Sequence, residues 1–243
     1  LIANSKEQDF KDKVIDALRQ TPPSYALVML YNDMLIAARD PNGYKPLSLG
    51  NLHGAHLIAS ESVAFDINKA DFVRDIEPGE ILFIDKNGMD SRIIEKKDKL
   101  KQCIFELVYF ARPDSKVFGY SVSSIKKELG RQLARESPVE ADVVIPVPDA
   151  ANSAAIGYSQ ESKIPFDFGI VRNHYIGRTF IQPESELRHF GAKMKFNADK
   201  DIISGKRVVI IDDSIVRGTN AIRIINMVKE AGAKEIHLKI TFP

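Results

Sequence analysis

The chain has 243 residues, of which 44% are hydrophobic, and this length is sufficient for two domains with apolar cores. Its 34 basic and 33 acidic residues give a net charge of +1, and no apolar run approaches the roughly 18 residues of a membrane span, so neither nucleic acid nor a membrane is an expected partner. The single cysteine, Cys103, excludes an intrachain disulfide and favours a reducing, cytoplasmic location.

The first hundred residues predict antiparallel sheet with few helices. Apolar residues at helical spacing predict a first helix over residues 5–19, which ends before Pro22. Strand-like runs with short connections follow, and such runs pair antiparallel. The predicted strands are residues 25–31, 34–38, 47–49, 56–59 and 81–84, with turns at residues 40–43 and 86–88. A short helix over residues 62–68 interrupts them, with Ser60 or Ser62 as its N-cap.

The pattern changes after the charged run at residues 95–101, which predicts a solvated connector and a domain boundary near residue 100. Strands then alternate with helices, which indicates a parallel sheet flanked by helices. The predicted strands are residues 104–110, 143–147, 164–170, 208–211 and 236–242, and the predicted helices are residues 121–136, 152–161 and 220–231. A long polar loop over residues 173–197 separates the third strand from the fourth.

The segment VVIIDDSIVRGTN, which begins at Val208, has the strongest functional signal. Four consecutive β-branched apolar residues predict a strand buried on both faces. The strand ends at Asp212 and Asp213, and Ser214 and Gly218 then offer a hydroxyl and backbone N–H groups at a helix N-terminus, which suit a phosphate. Two carboxylates beside phosphate donors indicate a phosphorylated sugar, because a pair of acids can hold vicinal ribose hydroxyls or a divalent cation.

This segment resembles the signature with which type I phosphoribosyltransferases bind phosphoribosylpyrophosphate (PRPP). The form DDSIVRGT is similar to that of the glutamine PRPP amidotransferases, or amidophosphoribosyltransferases. Other motifs, in the family's order, extend the resemblance over nearly the whole chain. ARDPNGYKPLSLG, ASESVAFD and VRDIEPGE are similar to the second half of the family's N-terminal-nucleophile glutaminase domain, and FELVYFARPDS, PVPD and NHYIGRTFIQP are similar to its transferase domain.

The resemblance implies a fold of two parts. Residues 1–100 are expected to be the C-terminal part of an α+β glutaminase domain, with antiparallel sheets and helices. Residues 101–243 are expected to be a truncated α/β phosphoribosyltransferase domain, with a mostly parallel sheet flanked by helices. Because Leu1 is not methionine and Pro243 stops inside a strand-like run, we expect a fragment. The family's glutaminase nucleophile would lie upstream, so this chain alone is not expected to hydrolyse glutamine.

The resemblance also implies which residues bind PRPP. In the family the two aspartates hold the ribose hydroxyls and magnesium, the following loop holds the 5′-phosphate, and the loop at Asp149 holds the pyrophosphate. The expected PRPP-binding residues are Asp149, Asp212, Asp213, Ser214, Ile215, Val216, Arg217, Gly218 and Thr219. Ala150 and Ala151 stand where the family usually has a hydroxyl residue that helps to bind magnesium, which leaves that metal contact open.

The polar loop over residues 173–197 is too long for an ordinary connection and is predicted to be a lid. In the family this loop orders over PRPP and excludes water, and a cationic lid stabilises the charge on departing pyrophosphate. The alternative is a solvated loop with scattered charges. Family positions are matched by Tyr175, Arg178, Arg188 and Lys195, of which Tyr175, Arg178 and Lys195 are the expected catalytic residues.

Two other positions carry metal-ligand chemistry. His53 and His56 have H-x-x-H spacing but lie beside Gly54 in a predicted hairpin, which disfavours a metal site. Cys103 stands where family members with a [4Fe–4S] cluster have one ligand. A buried free thiol is the favoured interpretation.

The implied function is transfer of glutamine-derived ammonia to PRPP, giving 5-phosphoribosylamine, glutamate and pyrophosphate, with Mg²⁺ as cofactor. The resemblance further implies feedback inhibition by purine nucleotides and a homo-oligomer. One alternative is a regulatory module that binds PRPP without chemistry, which Ala150 and Ala151 favour. Another is a nucleobase phosphoribosyltransferase, although no base-binding hood is apparent and the glutaminase-like half would be unexplained.

Overall fold

The structure, a computed structural model, describes residues 1–173, 196–216 and 218–242. The chain forms two compact units, Leu1–Val122 and Ser123–Pro243. The predicted domains, residues 1–100 and 101–243, meet near residue 100, whereas the two units meet after Val122. The assignment of the domains as glutaminase and phosphoribosyltransferase stays a prediction. In the described part of the chain, no helix is long and apolar enough to cross a membrane.

Two antiparallel sheets form most of the first unit, as predicted. One sheet has the strand order β1 (Ala26–Tyr31), β2 (Met34–Arg39), β6 (Glu80–Asp85) and β7 (Gly88–Ile93). The other has the order β4 (Ala55–Ala59), β3 (Ser48–Leu52) and β5 (Asp71–Asp75), and a short hairpin joins β8 (Lys116–Val117) to β9 (Tyr120–Ser121). The sequence prediction missed β5 and β7, because their charged residues hide the alternation that predicts a strand.

Alternation along β2 and β6 places two cores on opposite faces of the four-stranded sheet. Ile36 and Phe83 pack against helix α1 (Phe10–Arg19), whose first turn is capped by the side chain of Asp9. Their neighbours Ala37 and Leu82 pack on the other face, with apolar residues from the three-stranded sheet. Period-2 alternation therefore produces a sandwich with a helix outside it.

The short helix α2 (Val63–Ile67) begins after Ser62, as predicted, but the Ser62 hydroxyl does not cap it. Instead, Ser62 Oγ accepts the backbone N–H of Lys116 at 2.8 Å. Glu61 Oε2 accepts the Arg112 N–H at 2.9 Å and the Ser115 hydroxyl at 2.8 Å. The motifs ASES and ARPDS, which are about fifty residues apart, thus hold each other in place.

Glu61→Ala is expected to lower the free energy of unfolding by about 1–3 kcal/mol, since two donors lose one charged acceptor and the Ser115 hydroxyl is buried. The measurement is urea unfolding followed by circular dichroism. Glu95→Ala is the matched control, because Glu95 is exposed and its side chain pairs with a residue two positions away, Lys97. Equal effects of the two variants would show that the Glu61 contacts contribute nothing.

The prediction of a strand at residues 104–110 is wrong, because the structure has a π-helical turn there, Glu106–Phe110. The Ala111 N–H donates to the Glu106 carbonyl at 2.9 Å, five residues back. The buried Glu106 carboxylate accepts from Lys45 Nζ at 2.6 Å. Aromatic and β-branched residues favour a strand locally, but this ion pair draws the segment towards a distant loop, and tertiary contacts override propensity.

The second unit contains a parallel sheet with flanking helices, as predicted. Its strand order is β10 (Val143–Pro146), β13 (Arg207–Asp212) and β14 (Glu235–Ile240). The other elements are the helices α3 (Val122–Glu136), α4 (Asn152–Ser162), α5 (Lys200–Ile203) and α6 (Thr219–Glu230), and the antiparallel pair β11 (Ile170–Arg172) and β12 (Phe196–Ala198).

Strand β13 is buried on both faces, which confirms the prediction from its four β-branched residues. All four, Val208 to Ile211, are 0% exposed. Val208 and Ile210 pack with apolar residues of α6, and Val209 and Ile211 pack with those of α3 and α4. The central strand therefore anchors helices on both sides of the sheet, and its end is a rigid position for functional side chains.

Candidate functional site

The strands of the parallel sheet end at one edge, and the residues that follow them stay hydrogen-bonded across that edge. The Val147 N–H donates to the Ile211 carbonyl at 2.8 Å, and the Thr241 N–H donates to the Asp212 carbonyl at 3.1 Å. Asp149 follows β10 by three residues. The predicted site residues Asp149, Asp212 and Asp213 therefore lie at this edge of the sheet. Open α/β sheets bind ligands at such an edge.

The two aspartates at the end of β13 differ in their surroundings. Asp213 is 8% exposed, and its Oδ1 accepts the Ser214 hydroxyl at 2.9 Å. Asp212 is partly buried, and its Oδ1 accepts the N–H of Asp213 at 2.9 Å. In this structure the Ser214 hydroxyl orients a carboxylate, and its predicted role as a phosphate donor stays a prediction.

Burial raises the pKa of Asp212 to about 6, and the negative charge of Asp213 adds to the rise, while the N–H bond from Asp213 opposes it. A carboxylate with this pKa is ionised at neutral pH but is poorly solvated. It therefore gains from any hydroxyl donor or cation that reaches it. A raised carboxylate pKa at the end of a buried strand is typical of a functional site.

Asp212→Asn is expected to stabilise the ligand-free chain at pH 7.5 by roughly 1–3 kcal/mol, since folding no longer buries an ionised carboxylate. The folded-state pKa lies above the ordinary value of 3.8, so the penalty on the wild type develops as the pH rises from 3.8 to about 6 and is complete above that range, and the two proteins should converge at lower pH. Urea unfolding at several pH values, without magnesium, measures this. The control Asp98→Asn replaces an exposed carboxylate and should change the free energy of unfolding by no more than about 0.5 kcal/mol at pH 7.5.

The loop after the aspartates leads into the N-terminus of α6. Gly218 is the N-cap residue of α6 and has φ +70°, a left-handed conformation that favours glycine. Backbone conformation and not crowding favours glycine here, because an added Cβ would meet nothing within 4 Å. Because glycine has no side chain to accept the first N–H groups of the helix, they are available to an anion. Ile215 and Val216 are exposed beside them, and the helix begins at Thr219, one residue before the predicted start.

Asp149, at the end of the neighbouring strand, forms an ion pair that the sequence analysis missed. Arg172 Nη1 donates to Asp149 Oδ2 at 2.6 Å, and both side chains are about half exposed. The signal in the sequence was a cation directly after a predicted strand and before the long polar loop. Ala151, at the predicted metal-binding loop, is 0% exposed and packs in the core beside α4, so its side chain serves packing.

Several predicted site residues lie outside the described part of the chain. They are Tyr175, Arg178, Arg188 and Lys195 of the predicted lid, and Arg217 of the phosphate loop.

Among the described residues, no group of three or more His, Cys, Asp and Glu side chains is placed to hold a metal ion. Mg²⁺ commonly takes only one or two protein carboxylates, with water and substrate phosphate oxygens as its other ligands, and Asp212 and Asp213 fit that donor set. Cys103 is a free, partly buried thiol, and nothing around it in the described part of the chain supports an iron–sulfur cluster. His53 and His56 lie in the hairpin of β3 and β4, as predicted.

Comparison with known proteins confirms the resemblance over the whole chain. No protein-family model matches it. It is 49% identical over 248 residues to an amidophosphoribosyltransferase of Rhizobium etli, and 46% identical over 243 residues to that of Bacillus subtilis; each match covers 100% of this chain but 50% and 51% of the relative. The chain thus spans about half the length of the curated relatives it matches.

Two solved structures match 100% of the chain at 46% identity. One is described as the allosteric regulatory enzyme of purine biosynthesis, with a TM-score of 0.93 and 52% of that protein covered. The other is the glutamine PRPP amidotransferase from B. subtilis complexed with ADP and GMP, with a TM-score of 0.92 and 53% covered.

Proposed function

We propose that this chain is the PRPP-binding portion of an amidophosphoribosyltransferase, an enzyme that uses glutamine-derived ammonia and PRPP to make 5-phosphoribosylamine, glutamate and pyrophosphate, in the first step of de novo purine biosynthesis. The observation that carries the proposal is the partly buried pair Asp212 and Asp213, at the end of a fully buried strand and next to a glycine-capped helix N-terminus. The similarity to amidophosphoribosyltransferases over the whole chain supports it.

Each group of the site has a distinct task in this reaction. Asp212 and Asp213 accept the ribose hydroxyls, and the same carboxylates would hold Mg²⁺, which neutralises the pyrophosphate. The backbone N–H groups between Ser214 and Thr219 hold the 5′-phosphate. Ammonia then forms a bond to C1 as the C1–O bond to pyrophosphate breaks, and the surplus proton on nitrogen leaves to solvent. Positioning and fixed charge lower the barrier, and no protein nucleophile is needed.

The predicted lid completes the proposed mechanism. We propose that Tyr175, Arg178 and Lys195 approach the bound PRPP, where the cationic side chains stabilise the charge that develops on pyrophosphate. Exclusion of water would protect C1 from hydrolysis. These three roles rest on the motif resemblance alone.

The other substrates and partners follow from the family. We propose that glutamine supplies the ammonia in the whole protein. The related B. subtilis enzyme is complexed with ADP and GMP, and we propose that purine nucleotides regulate this protein too. The homo-oligomer and the cytoplasmic location stay predictions.

The direct test measures pyrophosphate release from PRPP in the presence of Mg²⁺, with ammonium chloride or glutamine as the nitrogen donor. We expect release that depends on ammonium. Release that requires adenine, guanine or hypoxanthine would instead show a nucleobase phosphoribosyltransferase. PRPP binding without any release would show the regulatory module that Ala150 and Ala151 first suggested.

A further inference from the structure

We propose that a groove between α1 and β7, in the first unit, binds a free α-amino acid with an aliphatic side chain. The groove has a volume of about 340 Å³, near the lower end of the roughly 300–1,000 Å³ of small-molecule sites. It is lined by two arginines, three carboxylates and two isoleucines, most of them from α1. The candidate PRPP site lies in the second unit, so this inference does not depend on the proposed function.

Helical periodicity brings one wall of the groove together. Asp12, Ile15, Asp16 and Arg19 have the i, i+3, i+4, i+7 spacing of a single stripe along α1. The other wall is the end of β7, which is held in place by its pairing with β6. Both walls are regular elements, so their side chains are positioned before a ligand arrives.

Arg19 has no partner, although a carboxylate lies one turn before it. The spacing of Asp16 and Arg19 suits an ion pair within a helix. Asp16 instead accepts the Ser5 hydroxyl at 2.6 Å and an N–H of Gln20 Nε2 at 3.2 Å. In the described part of the chain, the Arg19 side chain makes no hydrogen bond or ion pair. Its guanidinium is therefore available to an anion in the groove.

Arg92, on the wall formed by β7, uses only part of its guanidinium. Its Nε donates to Asp90 Oδ1 at 3.1 Å, whereas Nη1 and Nη2 donate to none of the described residues. The hydrogen bond to Asp90 raises the pKa of Arg92, and the negative charge of Asp12 adds to the rise. Asp12 accepts no hydrogen bond from Arg92, so these opposite charges face each other across a gap that a ligand can occupy.

Unpaired charges of both signs favour a zwitterion. A guanidinium offers a planar fork of N–H donors that matches a carboxylate, and Arg19 and Arg92 both have such donors free. The carboxylates of Glu7 and Asp12 accept no hydrogen bond from any described residue, and they can accept the N–H groups of an ammonium. A simple anion would be repelled by the carboxylates and a simple cation by the arginines. An α-amino acid carries both charges on one carbon.

Two isoleucines indicate the side chain of the ligand. Ile15 and Ile93 are the apolar residues of a groove whose other lining residues are charged. Ile93 is 42% exposed at the end of β7. An aliphatic side chain that covers these isoleucines removes apolar surface from water, which favours binding. A small or charged side chain would leave that surface exposed.

The test titrates the whole chain with L-leucine and follows binding by saturation-transfer NMR. We expect saturable binding. N-acetyl-L-leucine has no ammonium group and L-leucinamide has no carboxylate, so each should bind at least fivefold more weakly than L-leucine. Glycine keeps both charges but has no aliphatic side chain, and it should bind at least threefold more weakly.

Variants assign the two charges to their partners. Arg92→Gln and Asp12→Asn should each weaken the binding of L-leucine at least fivefold. Because Asp12 is assigned to the ammonium, Asp12→Asn should change the affinity for N-acetyl-L-leucine less than twofold. Arg92→Lys keeps the charge without the fork and should bind L-leucine more tightly than Arg92→Gln does.

Arg112→Gln is the matched control for Arg92→Gln. Arg112 is also an exposed arginine of the first unit that pairs with an aspartate two positions away. Its Nε and Nη2 both donate to Asp114, so its fork is already occupied, and it does not line the groove. The affinity of Arg112→Gln for L-leucine should stay within twofold of wild type.

Three results would overturn the inference. The first is the absence of saturable L-leucine binding by the wild-type chain. The second is equal affinity for L-leucine, N-acetyl-L-leucine and L-leucinamide, since the groove would then recognise neither charge. The third is wild-type affinity in Arg92→Gln and Asp12→Asn. Circular dichroism should show both variants folded, because Arg92 and Asp12 are exposed.

Discussion

The double variant Asp212→Asn, Asp213→Asn is expected to release pyrophosphate from PRPP at least a hundredfold more slowly than the wild-type chain, with ammonium as the nitrogen donor. In the proposed site each carboxylate accepts a sugar hydroxyl, and hydrogen bonds to charged groups contribute about 1.5–3 kcal/mol each, so weakening both corresponds to roughly a hundredfold or more in rate. The variant also loses the anionic charge that would hold Mg²⁺. A coupled enzymatic assay of pyrophosphate measures the rate.

Asp201→Asn is the control for this variant, because Asp201 is an exposed aspartate of α5 in the same unit, and its rate should stay within twofold of wild type. Unfolding in urea should show that the double variant is folded, since the carboxamide oxygen introduced at position 212 can still accept the N–H that Asp212 accepts. A folded double variant with more than one tenth of the wild-type rate would contradict the role assigned to the aspartates.

Gly157→Ala and Gly130→Ala are each expected to lower the free energy of unfolding by about 3 kcal/mol or more, because the new methyl groups overpack a helix crossing. A Cβ at Gly130 would lie 1.9 Å from the Ala154 carbonyl oxygen, and one at Gly157 would lie 1.9 Å from that of Lys127. Helices α3 and α4 would have to separate. Urea unfolding followed by circular dichroism measures the effect.

A loss of stability in these variants would show that the two helix backbones are in close contact, because glycine to alanine in an uncrowded helix raises the free energy of unfolding by roughly 1 kcal/mol. Gln132→Ala, at an exposed position of α3, is the control and should change little. Glycine variants more stable than wild type would show that the two helices do not approach as closely as the structure has them.

The features that the sequence predicted correctly have local causes. A run of β-branched residues predicted β13 and its burial on both faces, because no polar residue interrupts it. The aspartates at its end and Gly218 before α6 were recognisable because a strand end and a left-handed turn each restrict residue type within a few positions. The antiparallel pairing of β1 with β2, of β3 with β4 and of β6 with β7 likewise follows from short connections.

The features that the sequence did not predict depend on distant partners. Residues 106–110 form a π-helical turn and not a strand, because Glu106 pairs with Lys45. The sequence predicted Ser60 or Ser62 as a helix cap. The Ser62 hydroxyl instead accepts the backbone N–H of Lys116, more than fifty residues away. Nothing in the sequence shows that Gly130 and Gly157 lie against neighbouring helix backbones, or that Arg172 reaches Asp149.

The sequence by itself therefore determined the strand, the acid pair and the glycine-capped loop of the candidate site, since these depend on residues that are neighbours in the chain. Only the tertiary structure decided which cation lies at the loop after β10 and how closely α3 approaches α4, because both depend on residues that folding brings together from more than twenty positions apart.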